Sequence, residues 1–247
     1  MKAIAFNIKN WFAISPGIES QDAWRCWSEQ HCLWPNNASK LQATLIPPML
    51  RRRMSSLSKV AVQAAMQISQ DQQFDYIIFT SRHGELTRTV SLLEDIIKGE
   101  DASPMAFSQS VHNTAAGLFT IASKRATPVT SIASGENGLS GAIIESYCYL
   151  CEHPTHQVLV VDFDEPLPDL YQQYETQDYQ SYALAMLIES GDRYTLSSTP
   201  ALTDKLHPHP HALQLINWLV SDKKFVDIKS QNKCWQWREK DDLLSTH

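Results

Sequence analysis

Tyr76-Ile-Ile-Phe-Thr80 and Val158-Leu-Val-Val-Asp-Phe163 are unbroken apolar runs of strand length. They constrain the fold more than any other feature. A strand with one wet face alternates polar and apolar residues. A continuous run instead belongs to a strand covered on both faces, which requires helices on either side of the sheet.

Helical periodicity supplies those covers. Leu57, Val60, Ala61, Ala64, Ala65 and Ile68 recur on one face, and Leu86, Val90, Leu93 and Ile97 mark a second helix stopped by Gly99. Phe107, Val111, Ala115, Leu118 and Ala122 predict a third. Ala3 to Ile8 reads as a first short strand. Residues 19–48, with Trp24, Trp27 and Trp34, read as a surface excursion carrying one short helix. Val129 to Ile143 reads as a β-branched strand, a glycine-flanked turn at Gly135-Glu136-Asn137-Gly138, and a helix over roughly 138–151. Tyr182 to Glu189 and Tyr194 to Ser198 predict two strands joined through a hairpin at Ser190-Gly191-Asp192. The order βαβααβαβββ predicts one layered α/β domain, a mixed sheet with helices on both faces. Residues 1–205 form that domain in this reading. Residues 206–247 form a C-terminal helical extension packed on it or on a partner.

Apolar content of 43% and charged content of 19% fit a globular chain, and the net charge of −6 opposes a general nucleic-acid binder. No run of apolar residues reaches membrane-spanning length and no secretory leader is legible, so a cytoplasmic location is expected. The five cysteines read as reduced thiols. No cofactor is expected, because neither a Walker loop nor a Gly-x-Gly-x-x-Gly turn follows a strand.

Several constellations have two readings. The strand-turn-helix at 129–143 has the layout of a nucleophile elbow, with Glu136 where Cys or Ser would stand exposed. Glu136 is equally a helix-start anion. Ser81, His83 and Glu85 contain triad residue types but lie in one loop, which favours a polar network. Cys148, Cys151, His153 and His156 have metal-like spacing, against buried thiols with surface histidines. His207, His209 and His211 alternate with prolines, either an adventitious metal site or an extended connector. Arg51-Arg52-Arg53 is either a docking patch for an acidic carrier protein or a phosphate, or a cluster paired with local carboxylates.

Phe107-Ser-Gln-Ser-Val-His-Asn113-Thr-Ala-Ala-Gly117, Pro128 to Gly138, Val158 to Phe163 and Tyr182 to Glu189 together resemble the N-terminal half of a β-ketoacyl synthase of the thiolase fold, over roughly residues 1–200. Arg51-Arg-Arg-Met-Ser55 and Ser81-Arg-His-Gly-Glu-Leu86 more closely resemble a short synthase-like family of aryl polyene gene clusters. That family includes a chain-length-factor-like partner of a true ketosynthase. Aligned this way, Glu136 replaces the nucleophilic cysteine; a shifted alignment places Ile132 there. The second lobe, which supplies two catalytic histidines, is absent.

The resemblance implies a non-catalytic subunit that pairs edge to edge with a complete ketosynthase through 128–134. An acyl carrier protein would serve the complex. Met105, Phe107, His112, Asn113, Phe119, Thr130, Ile132 and Ser134 would then border the partner or its acyl pocket. Two alternatives stand beside it: an acyl thioesterase using Ser131 or Ser134 with His112, and a scaffold that never touches the pocket.

Overall fold

The computed structural model describes residues 1–35, 40–70, 72–101, 103–201 and 207–240. The boundary expected near residue 205 lies outside them. Strands are β1 (Ile4–Ile14), β2 (Tyr76–Thr80), β3 (Val129–Ile132), β4 (Gln157–Asp164), β5 (Tyr182–Pro200), β6 (Phe225–Lys229) and β7 (Lys233–Glu239). Helices are α1 (Gln21–Glu29), α2 (Pro48–Arg51), α3 (Ser56–Ser69), α4 (Leu86–Ile97), α5 (Pro104–Ser108), α6 (Thr114–Ser123), α7 (Gly138–Glu152) and α8 (His211–Leu219).

The strands form one seven-stranded mixed sheet. β2 runs parallel to both β3 and β4, and β5 lies antiparallel to β4 and β1. Across its main part the order is therefore β3-β2-β4-β5-β1. β4 is buried along nearly its whole length, as its apolar run requires. Val158 and Val160 face a core built with α7 and α8, and Leu159, Val161 and Phe163 face a second core built with α3 and α6. This is the expected layered sheet with helices on both faces. No helix among the described residues is long and apolar enough to cross a membrane.

Four local expectations are corrected. The predicted hairpin at Ser190-Gly191-Asp192 is a bulge inside one long strand, because β1 continues its pairing across it: Phe6 pairs with Tyr194 and Asn7 with Glu189. Arg193 N–H donates to Asn7 Oδ1 at 3.1 Å and anchors the bulge. Beyond it, β5 exchanges its neighbour β4 for β7. Among the described residues of the 206–247 segment only α8 is helical; β6 and β7 form a hairpin that extends the sheet, since Trp235 and Trp237 alternate with Gln236 and bury one face. The third predicted helix is two, α5 and α6, separated by a turn at 109–113. The tryptophan excursion is tied into the core: Trp24 and Trp27 are buried, and Trp24 Nε1 donates to the Ala13 carbonyl at 2.8 Å.

The thiols correct a fifth. Leu139, Ala142, Ile143, Ser146 and Leu150 set the buried face of α7, which turns Cys148 and Cys151 outward. Both are exposed. His153 and His156 stack at 4.9 Å beside Tyr149 instead of facing those sulfurs.

Candidate functional site

The carboxyl ends of β2 and β4 and the start of α7 converge at one end of the sheet. Ligand sites of α/β sheets favour this location. β3 ends at Ile132, Gly135 takes φ +55°, and a 3-10 turn over Gly135–Asn137 leads into α7. The positive φ lets the chain reverse without the Cβ clash another residue would suffer. Glu136 sits on this turn as the sequence predicts, but its side chain is turned inward and only 14% exposed, with Oε1 3.8 Å from Arg82 Nη2.

Arg82 links three segments. Its Nη1 donates to Gln177 Oε1 at 3.2 Å, and its backbone N–H donates to Asp164 Oδ2 at 2.8 Å. Asp164 also accepts from Ser81 Oγ at 2.9 Å and His83 N–H at 3.3 Å. These donors stabilise the carboxylate, yet burial wins and lifts its pKa to about 6. Asp162, two residues earlier on the same strand face, accepts from Tyr182 Oη at 3.0 Å. Burial, then the charge of Asp164, pushes its pKa to about 8. Asp162 is therefore mostly a neutral acid at neutral pH, and Asp164 is mostly ionised.

The C-terminal elements close this end. Trp235 Nε1 donates to Asn137 Oδ1 at 2.7 Å, beside Glu136. His211, the first residue of α8, is buried, and burial lowers its pKa to about 4. It does not lie in an extended connector. Its Nδ1 has no hydrogen-bond partner among the described residues, so the bond to the Lys229 backbone is made through Nε2. Arg82, Glu136, Asp162, Asp164, Tyr179 and His211 line the cavity that remains, about 20 Å³. That is room for about one water molecule; substrate pockets measure roughly 300–1,000 Å³.

The loop Ser81–Glu85 is the expected polar network and no triad. Glu85 turns the other way, accepts from Ser55 Oγ and Ser58 Oγ, and pairs with Arg88. His112 Nε2 donates to the Ser81 carbonyl at 3.0 Å. Its ring lies over Gly84, where a Cβ would come within 3.0 Å of His112 Cδ2 and φ is +57°. Neither Ser131 nor Ser134 bonds His112: Ser131 Oγ is buried without a partner and Ser134 is exposed. The hydrolase dyad is thus not assembled. Arg51 Nη1 donates to the carbonyls of Gln42 and Ala43, while Arg52 and Arg53 stay exposed.

The residues expected at a partner surface divide in two. Met105 and Phe107 on α5 are exposed, Asn113 is exposed at the start of α6, and Thr130 and Ile132 on β3 are half-buried. Phe119 is the correction: it is fully buried between Phe74 and Phe79. Ala115, Ala116, Leu118, Phe119 and Ala122 form the buried face of α6, so Phe119 cannot reach a partner. The sequence reading missed Ile121 on the opposite face, 63% exposed. It also missed Asp162 and Asp164, whose signal was acids placed in a buried apolar strand.

The sheet edges differ. β1 carries exposed Lys9 and two register irregularities, and β6 carries Asp227 and Lys229. Charges and bulges of this kind discourage edge pairing. β3, paired only with β2 among the described residues, has four uncharged residues in unbroken register.

The fold is that of a thiolase-like ketosynthase half. The chain superposes on one chain of a complex of the ketosynthase ApeO with its chain length factor ApeC from Xenorhabdus doucetiae. The TM-score is 0.85 at 29% identity, with 96% of this chain and 100% of that chain aligned. The ishigamide ketosynthase/chain length factor aligns at TM-score 0.63 and 14% identity, over 81% of this chain and 69% of that one. AntDE:AntF, a type II PKS acyl-carrier protein in complex with its ketosynthase bound to the hexaketide, aligns at TM-score 0.66 and 10% identity, over 96% and 99%. These last two share the fold. No curated protein sequence matches significantly. The family model described as the β-ketoacyl synthase N-terminal domain matches residues 24–238, and the chain belongs to that family.

Proposed function

We propose that this chain is a non-catalytic, chain-length-factor-like subunit that pairs with a complete ketosynthase and shapes acyl-chain elongation, in aryl polyene or polyketide-type fatty acid synthesis. The observation that carries the proposal is the elbow. In the alignment that puts Glu136 at the nucleophile's place, this residue is turned toward Arg82 beside a cavity with room for about one water. A carboxylate there cannot form the acyl thioester, and no substrate-sized space opens beside it. The likeness to a ketosynthase in complex with its chain length factor supports the pairing. In this reading the partner supplies the cysteine and both histidines, and an acyl carrier protein delivers the units.

β3 is the edge we assign to the partner. Phe107, 66% exposed, and the exposed Met105, Val111, Ile121 and Val129 are apolar side chains that such pairing would cover. The test is reconstitution with the ketosynthase encoded in the same gene neighbourhood. Condensation should require both chains, and Glu136→Cys should not confer it on this chain alone. Phe107→Ala should shift product length within an intact complex. Condensation by the Glu136→Cys chain without a partner refutes the reading; unchanged product length would leave a stabilising scaffold.

A further inference from the structure

We infer that Cys148 and Cys151 on α7 form a two-thiolate site for a soft, two-coordinate monovalent cation of the Cu(I) class. Neither the elbow nor the proposed partner edge uses these residues. Both are free thiols, both are exposed, and they stand at i and i+3 of one helix.

The helix decides which chemistry the pair can do. Residues at i and i+3 of an α-helix hold their Cβ atoms about 5–6 Å apart. A disulfide needs a Cβ separation of about 3.5–4.5 Å, so the two sulfurs cannot join while α7 stays wound through Glu152. A bridging cation has no such limit. Two metal–thiolate bonds of about 2.3 Å, the length found with zinc, span up to about 4.6 Å from sulfur to sulfur. Side chains rooted on neighbouring turns reach that span without moving the backbone.

The surroundings suit a cation. Helical side chains lean toward the N-terminus of their helix, which carries the Cys151 sulfur back over the turn that holds Cys148. The Tyr147 hydroxyl hydrogen-bonds Cys151, and a phenol is a good donor to a thiolate. The last turn of α7 carries Glu152 and no basic residue, and the C-terminal end of a helix itself attracts positive charge.

Ligand number selects the ion. Thiolates favour Cu(I), zinc and iron–sulfur clusters. Structural zinc and the clusters take four ligands. Among the described residues no group of three or more His, Cys, Asp or Glu is placed to hold a metal, and His153 and His156 stack on each other at 4.9 Å. Cu(I), which two thiolates satisfy, remains. Each thiol releases its proton on binding, so two thiols and Cu(I) give a singly negative bis-thiolate complex and two protons, with no electron transferred.

The experiment titrates the full, reduced chain with Cu(I) buffered by bicinchoninate in the absence of oxygen. The tightest site should hold one ion per chain, show ultraviolet sulfur-to-copper charge-transfer bands, and resist displacement by zinc. Cys148→Ser and Cys151→Ser should each weaken binding by more than about 100-fold, beyond the 10–100-fold that losing an outer-shell partner costs. Tyr147→Phe should fall within that smaller range, and Cys26→Ser should bind like wild type. The serine variants should melt like wild type, because the side chains they replace are exposed. Equal Cu(I) affinity in wild type and both single-thiol variants would overturn the site. So would a Cys148–Cys151 disulfide formed with glutathione disulfide while the far-ultraviolet helix signal stays unchanged, since the helix would then not be what holds the sulfurs apart.

Discussion

Asp162→Asn offers the sharpest test of the buried acidic site. Asp162 sits at the covered end of β4, accepts from Tyr182 Oη at 3.0 Å, and shares its strand face with Asp164. Burial and that neighbouring charge raise its pKa to about 8, against about 3.9 in an unfolded chain. Between these values the folded protein holds a proton that the unfolded chain has released. Stability therefore falls as pH rises, by at most about 1.4 kcal/mol per pH unit. From about pH 6.5 to about pH 8, where Asp164 with its pKa of about 6 is already ionised, the loss is about 1.5 kcal/mol. Asparagine keeps the shape and the Oδ1 acceptor for Tyr182 but has no proton to lose. The variant should be flat across this window, gain on wild type as pH rises, and converge with it toward pH 4. Urea unfolding at several pH values measures this directly. Parallel profiles for the two proteins would show that Asp162 does not carry an elevated pKa, and the argument from burial would fail.

Two further outcomes follow from neighbouring features. His211 has a folded pKa of about 4, below its unfolded value of about 6.5. Its contribution is lost as pH falls through that interval, against the gain from Asp162 and Asp164, so His211→Phe should steepen the rise in stability toward acid pH in the same unfolding assay. Phe119→Ala should cost about 3–5 kcal/mol as a core cavity, whereas Phe107→Ala should change chain stability by less than about 0.5 kcal/mol; thermal melts of the two variants separate core from surface.

The strands that were easiest to read were those with the least ambiguous local chemistry. β4 and β2 are buried on both faces and look it in sequence. The elbow strand, turn and helix were legible because a β-branched run meets glycines and then a helical face. Ser190-Gly191-Asp192 was misread because a Gly-Asp pair marks a turn and a bulge alike. What separates them is that β1 continues to pair with β5 on both sides of the irregularity, a relation between distant residues. Trp24 misled for a similar reason: α1 is short and polar, and its burial depends on the Ala13 carbonyl and on α8. Asp162 was visible inside an apolar run, but its chemistry comes from Asp164, Tyr182 and the burial that surrounds them. Phe119 was assigned to a partner surface through the resemblance, although it lies one position from Leu118 on the face that α6 buries with Ala115 and Ala122.

The pairing of β1 with β5 also sets a timetable. Ile4 pairs with Leu196 and Ile14 with Ala183, so β1 has no partner until β5, far downstream of it, has been made. The end of β5 then waits for β7, later still. Contacts so distant in sequence form slowly, and until they form, the apolar residues of β1 are open to other chains. On the proposed pairing, a ketosynthase present during synthesis would meet a chain whose β2, β3 and β4 neighbourhood can assemble before β1 and β5 are locked. Yield in the absence of that partner should therefore depend on temperature and translation rate more than on the stability of the finished fold.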